Sequence, residues 1–145
     1  MKKILIISLV TLALFGCGDD KVTKEYWIGD WQCTANDYEK HNGDVNEDFG
    51  DSVSSSEKIM TFKILDNELY QINKDGTKIL IDPNKMENII NKVVGSTKIN
   101  TKKTTKIVNS DTFKLTMLTE INNINSDNNV IDFRAKTEAV CTRIK

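Results

Sequence analysis

The chain has 145 residues, 39% of them apolar and 28% charged, and its 20 Lys and Arg against 21 Asp and Glu leave a formal net charge of -1. That length is one domain's worth of polymer. The near-neutral balance excludes an acidic disordered tail and a nucleic-acid binder, whose basic excess would show in the count.

Met1, Lys2 and Lys3 make a positive start, residues 4–15 are apolar except for Ser8 and Thr11, and Gly16-Cys17 follows at once. This is the pattern of a secretory signal, with an apolar run about half as long as a lasting membrane helix needs. The junction Leu14-Phe15-Gly16-Cys17 resembles the lipobox of bacterial lipoproteins. The resemblance implies a signal peptide over residues 1–16, an acylated (palmitate-bearing) Cys17 and a lipidated tether over residues 17–25, and the strand patterns described below make residues 26–145 one β-rich domain. It also implies a place in the bacterial cell envelope, the outer membrane favoured over the inner, facing the periplasm or the cell surface. Several acyl chains, each contributing about 0.8 kcal/mol per buried methylene, make such an anchor durable.

In that oxidising compartment Cys33 and Cys141 form an even pair, and a disulfide between them is expected. It would close a loop of more than a hundred residues, a constraint of up to about 4–5 kcal/mol in the chain-entropy view. A zinc site is not expected, because two cysteines and the single His41 leave a tetrahedral set short of ligands.

Along the mature chain, residues 26–34 place Trp27, Trp31 and Cys33 on one side of a period-two pattern, a first strand. Residues 36–57 carry Asp37, Glu39, Asp44, Glu47, Asp48, Asp51 and Glu57 among Gly and Ser, and read as a long acidic loop. Residues 58–65 alternate Met60, Phe62 and Ile64 with polar positions; Asp66-Asn67 then turns the chain toward Leu69, Tyr70 and Ile72. Asp75-Gly76 turns it again into Lys78-Ile79-Leu80-Ile81, giving a three-stranded meander over residues 58–81. Asp82-Pro83 looks like a helix start, Met86, Ile89, Ile90, Val93 and Val94 recur at three and four, and Gly95 follows, so one short amphipathic helix is expected.

Residues 99–108 read as a Thr- and Lys-rich strand and Asn109-Ser110-Asp111 as a turn. Phe113, Leu115, Met117 and Ile121 then line one face of the next strand. After an Asn-rich loop over residues 122–129, the last strand carries Ile131, Phe133, Ala135, Ala139 and Cys141 on its apolar face. Joining Cys33 to Cys141 sets the first strand beside the last. The fold expected is therefore mainly β, an antiparallel meander of about seven strands closing into a small barrel or sandwich, with one short helix.

Gly29-Asp30-Trp31 on the first strand, with Arg143 near the end of the last, resembles the lipocalin-like pattern in which a Gly-x-Trp packs beneath a late Arg and closes the barrel base. Cation-π stacking gives that pairing its physical reason. The resemblance implies a cup for a small apolar ligand. Trp31-Gln32-Cys33 with the late Cys141 also resembles the start of the small envelope lysozyme inhibitors, which implies a disulfide-bonded barrel that acts by docking on a protein.

Asp44-Val45-Asn46-Glu47-Asp48 begins like a calcium loop, but Phe49 stands where the sharp turn needs Gly and Ser55 at the closing carboxylate position, so no metal or other cofactor is expected. Lys98, Lys102, Lys103 and Lys106 form a basic stripe that suits a solvated strand face or contact with an anionic surface. The one His, His41, has no nucleophile or catalytic motif beside it, and no catalysis is expected. The function expected is a lipid-anchored, non-catalytic protein-binding or inhibitor module. Its Asp44, Glu47, Asp48 and Asp51 would meet a protein partner, a basic one if it docks there, and not nucleic acid; a lipocalin-like carrier of a small apolar ligand is the alternative.

Overall fold

The computed structural model describes residues 22–44, 48–125 and 130–145, so Cys17, Glu47 and the tether before residue 22 lie outside the described residues. A four-residue helix, α1 (Lys24–Trp27), precedes β1 (Gly29–Asp44), β2 (Ser54–Leu65), β3 (Glu68–Ile72), β4 (Lys78–Leu80), β5 (Glu87–Val94), β6 (Thr97–Asn109), β7 (Thr112–Asn123) and β8 (Val130–Arg143). They form one eight-stranded sheet in the order β4-β3-β2-β1-β8-β7-β6-β5, with every neighbouring pair antiparallel. The first and last strands thus lie side by side at the centre.

This order forces curvature. The six residues 81–86 join β4 to β5, the two opposite edges of the sheet. Laid flat, eight strands would separate those edges by about 34 Å, seven inter-strand spacings of about 4.8 Å. A six-residue connection reaches only about 25 Å when fully extended. The sheet therefore curls into a half-barrel. Both ends of the connection are tied down, Ile81 N–H donating to Leu69 O at 2.9 Å and Thr105 N–H to Met86 O at 2.7 Å.

The hairpins follow the turn chemistry. Asp66 and Asn67 both adopt positive φ, 49° and 64°, between Leu65 and Glu68; two left-handed residues in succession match the twist of the flanking strands. In the next turn Thr77 N–H donates to the Asp75 carboxylate at 2.9 Å. The meander expected over residues 58–81 is present as β2, β3 and β4.

Cys33 and Cys141 are bonded across directly paired positions of β1 and β8, 108 residues apart in sequence. Around them the concave face buries Trp31, Met60, Phe62, Leu69 and Phe113, with Trp27 of α1 closing the base. Removing a side chain such as Phe113 from this cluster would cost about 3–5 kcal/mol. On the apolar line expected for β7, Phe113 is buried, Leu115 and Ile121 are partly so, and Met117 is 43% exposed.

Three expectations need correction. No helix follows Asp82-Pro83; residues 87–94 are β5, paired with β6 from Glu87↔Thr104 to Val94↔Thr97. Both boundary signals are real turns. Asn84 N–H donates to the Asp82 carboxylate at 2.9 Å and Lys85 N–H to Asp82 O at 3.1 Å, while Gly95 has φ 60° in the β5–β6 turn. A capped helix start and an Asx turn share the first arrangement, and a helix C-cap and a hairpin turn both ask for positive φ. Between them Ile89, Ile90, Val93 and Val94 are β-branched, which favours the pleated alternative.

Second, the acidic stretch 36–57 is mostly strand, since β1 runs to Asp44 and β2 starts at Ser54. Third, Trp27 belongs to α1 and not to the first strand; Gly29, at φ 115°, makes the bend between them.

Candidate functional site

The base of the half-barrel is an aromatic plug. Tyr26 and Trp27 come from α1, Trp31 from β1, Phe62 from β2 and Phe113 from β7. Their ring centroids lie 4.8–5.7 Å apart in the pairs Trp31–Phe113, Trp27–Phe113, Tyr26–Trp27, Tyr26–Trp31 and Trp27–Phe62. Trp31 Nε1–H donates to Trp27 O at 2.8 Å, so the strand indole also ends the helix. Arg143 lies over Trp31, 4.3 Å from the ring centroid. Its guanidinium donates to the carbonyls of Tyr26, Ile28 and Ser110 and pairs with Asp111 at 3.3 Å. The Tyr26 hydroxyl donates to Asn109 O at 3.0 Å and Thr112 O at 3.1 Å, and burial raises its pKa against the opposing pull of Arg143. One cation and five aromatic rings thereby lock α1, the start of β1, the end of β8 and the β6–β7 turn together.

Above this plug the curl encloses a cavity of about 500 Å³. Its floor is Trp27, Phe62, Met60 and Phe113; Leu115 forms one wall, and Ile79, Leu80, Ile81 and Met86 form the other. The rim is polar, with Gln71, Asp82, Lys85, Asn88, Lys103 and Thr105. The place of the cavity follows from the topology: β2 and β3 face β6 and β7 across it, and the tethered connection 81–86 bounds its open side. Trp27 Nε1–H is buried with no acceptor among the described residues, unlike the indole of Trp31.

No protein-family model and no curated protein matches the chain. A concave apolar surface with a few polar groups at its mouth is the form of a small-molecule site. Among the described residues no group of three His, Cys, Asp or Glu side chains gathers that could hold a metal ion.

Three of the four acidic positions expected to meet a partner lie among the described residues. Asp44 ends β1, Asp48 and Asp51 are exposed in the β1–β2 connection, and Glu47 lies outside the described residues. Asp37, within the same stretch, faces inward and accepts hydrogen bonds from Thr137 Oγ1 at 2.7 Å and Ser54 Oγ at 2.8 Å. Those two donors, Thr137 first, hold its carboxyl below the usual range. Phe49 of the connection folds back on the convex face, 6.4 Å from the Tyr38 ring, with Arg134 4.8 Å and Lys136 5.1 Å from its centroid. Arg134 in turn pairs with Glu120 at 3.4 Å. Phe49 therefore anchors the connection to the convex face.

The basic stripe divides by strand parity. Lys98, Lys102 and Lys106 point to the convex side, where Lys102 pairs with Glu87 at 3.2 Å, while Lys103 turns into the cavity rim. The fold brings Trp31, Arg143 and both cysteines, all legible in the sequence, to the base. The rim is not legible there, because Lys85, Met86 and Asn88 fall within the expected helix; the β-branched content of residues 89–94 is the signal that points to strand.

Proposed function

We propose that the protein is a non-catalytic carrier of a small apolar ligand, held in the concave face of its curled sheet and tethered to the cell envelope by lipid on Cys17. The cavity carries this reading: about 500 Å³, with an aromatic floor and aliphatic walls, lies within the roughly 300–1,000 Å³ of small-molecule sites. Gly29-x-Trp31 stacked beneath Arg143 supports it as well, because that base resembles the lipocalin-like closure of a ligand cup. The lipobox-like junction Leu14-Phe15-Gly16-Cys17 supports the tether and its placement at an envelope membrane.

Nile red, a neutral apolar dye, tests the cup. The expected result is saturable one-to-one binding by the disulfide-bonded protein, weakened by Leu115→Trp, which narrows the cavity from its wall. Absence of saturable binding, or binding unchanged in Leu115→Trp protein that keeps its native circular dichroism, would overturn the carrier reading.

A further inference from the structure

We infer that the ligand is an amphiphile with a single anionic head, seated at the rim between Lys103 and Lys85 with its apolar tail directed at Trp27. This rests on the carrier reading and adds the charge and the orientation of what is carried.

The rim of the cavity holds two cations and one carboxylate, Lys85, Lys103 and Asp82. Asp82 is already engaged by its own turn, its Oδ1 accepting the Asn84 N–H at 2.9 Å. Neither ammonium group has an ion pair or hydrogen bond among the described residues. Lys103 sits in register between Asn88 on β5 and Met117 on β7, so its cross-strand neighbours on the concave face supply no counter-charge. Its neighbour in sequence, Lys102, points to the other face and is paired with Glu87.

The two lysines also share one side of the mouth. Lys85 is one residue before Met86, whose carbonyl is tied to Thr105 N–H at 2.7 Å; Thr105 and Lys103 are successive inward positions of β6. The polarity of the cavity is thus graded from an aromatic floor to a rim with excess positive charge. A neutral apolar molecule would fill the floor and leave that charge unanswered. An anionic head would meet both ammonium groups while its tail displaces water from the partly buried Leu115, Ile81 and Met86. The lysines are exposed, so their contribution is modest and salt-dependent.

Matched twelve-carbon amphiphiles below their micellar concentrations separate the two layers of the argument by isothermal calorimetry at low salt. Dodecanoate is expected to bind at least about fivefold more tightly than dodecanol, and dodecyltrimethylammonium more weakly than either. In the double variant Lys85→Gln with Lys103→Gln the dodecanoate-to-dodecanol ratio should fall to about one, and in Lys103→Glu the preference should move to the cationic amphiphile. If dodecanol and dodecanoate bind equally to the unaltered protein, the anionic head is refuted and the apolar cup stands. A preference that survives both variants refutes the assignment to these lysines. If none of the three binds, the carrier reading itself fails.

Discussion

Replacing Arg143 by Ala removes a side chain that touches the backbone of α1, the ring of Trp31 and the β6–β7 turn at once. The Trp31 ring loses its cation, 4.3 Å from the centroid, a contact that contributes about 0.5–2 kcal/mol at a partly desolvated site. The carbonyls of Tyr26, Ile28 and Ser110 lose a charged donor, and Asp111 loses one partner while keeping Lys145 at 3.4 Å. The Arg143 side chain is 23% exposed, so water replaces part of what is lost. The net expectation is a destabilisation of about 2–4 kcal/mol. Arg143→Lys should recover less than half of it, because an ammonium restores the charge but not the planar fork that reaches several carbonyls while stacking. Urea unfolding with the disulfide intact measures both, as a shift of midpoint at constant slope. A value for Arg143→Ala within about 0.5 kcal/mol of the unaltered protein, the range of ordinary surface substitutions, would refute the base as a structural lock. Lys performing as well as Arg would refute the role of the fork.

The Asp37 carboxyl is held below its usual range by hydroxyl donors from Thr137 and Ser54, so it ionises more readily folded than unfolded. Its stabilising contribution is present above the unfolded carboxylate value of about 3.9 and is lost as pH falls through the lower folded value. Asp37→Asn should cost about 0.5–1 kcal/mol at pH 7, the low end for a solvent-screened bond, and flatten the acid limb of the stability profile; an acid limb of unchanged slope would sink this account. Cys17→Ser should release the protein from membranes and abolish metabolic labelling with palmitate, and labelling that persists in the variant would remove the lipid tether.

The sequence alone was sufficient for whatever depends on short-range chemistry. Asp66-Asn67 and Asp75-Gly76 are turn formers wherever they stand between alternating segments, so β2, β3 and β4 could be read directly. Period-two alternation put Cys33 and Cys141 on like faces of the first and last strands, and their bonding made those strands neighbours. Where two folds share the same local signals, only tertiary pairing decided. Asp82-Pro83 and Gly95 bracket a helix as well as a hairpin strand, and eight register pairs with β6 selected the strand. Residues 36–44 carry Asp37, Glu39 and His41 on the inward side, a polar pattern without a core signature; they are strand because β8 lies alongside from Asn36↔Glu138 to Asp44↔Val130. The cavity was out of reach of any local pattern. It exists because residues 81–86 are too short to join the edges of a flat eight-stranded sheet, and the curl they impose sets β2 and β3 opposite β6 and β7 with open space between them.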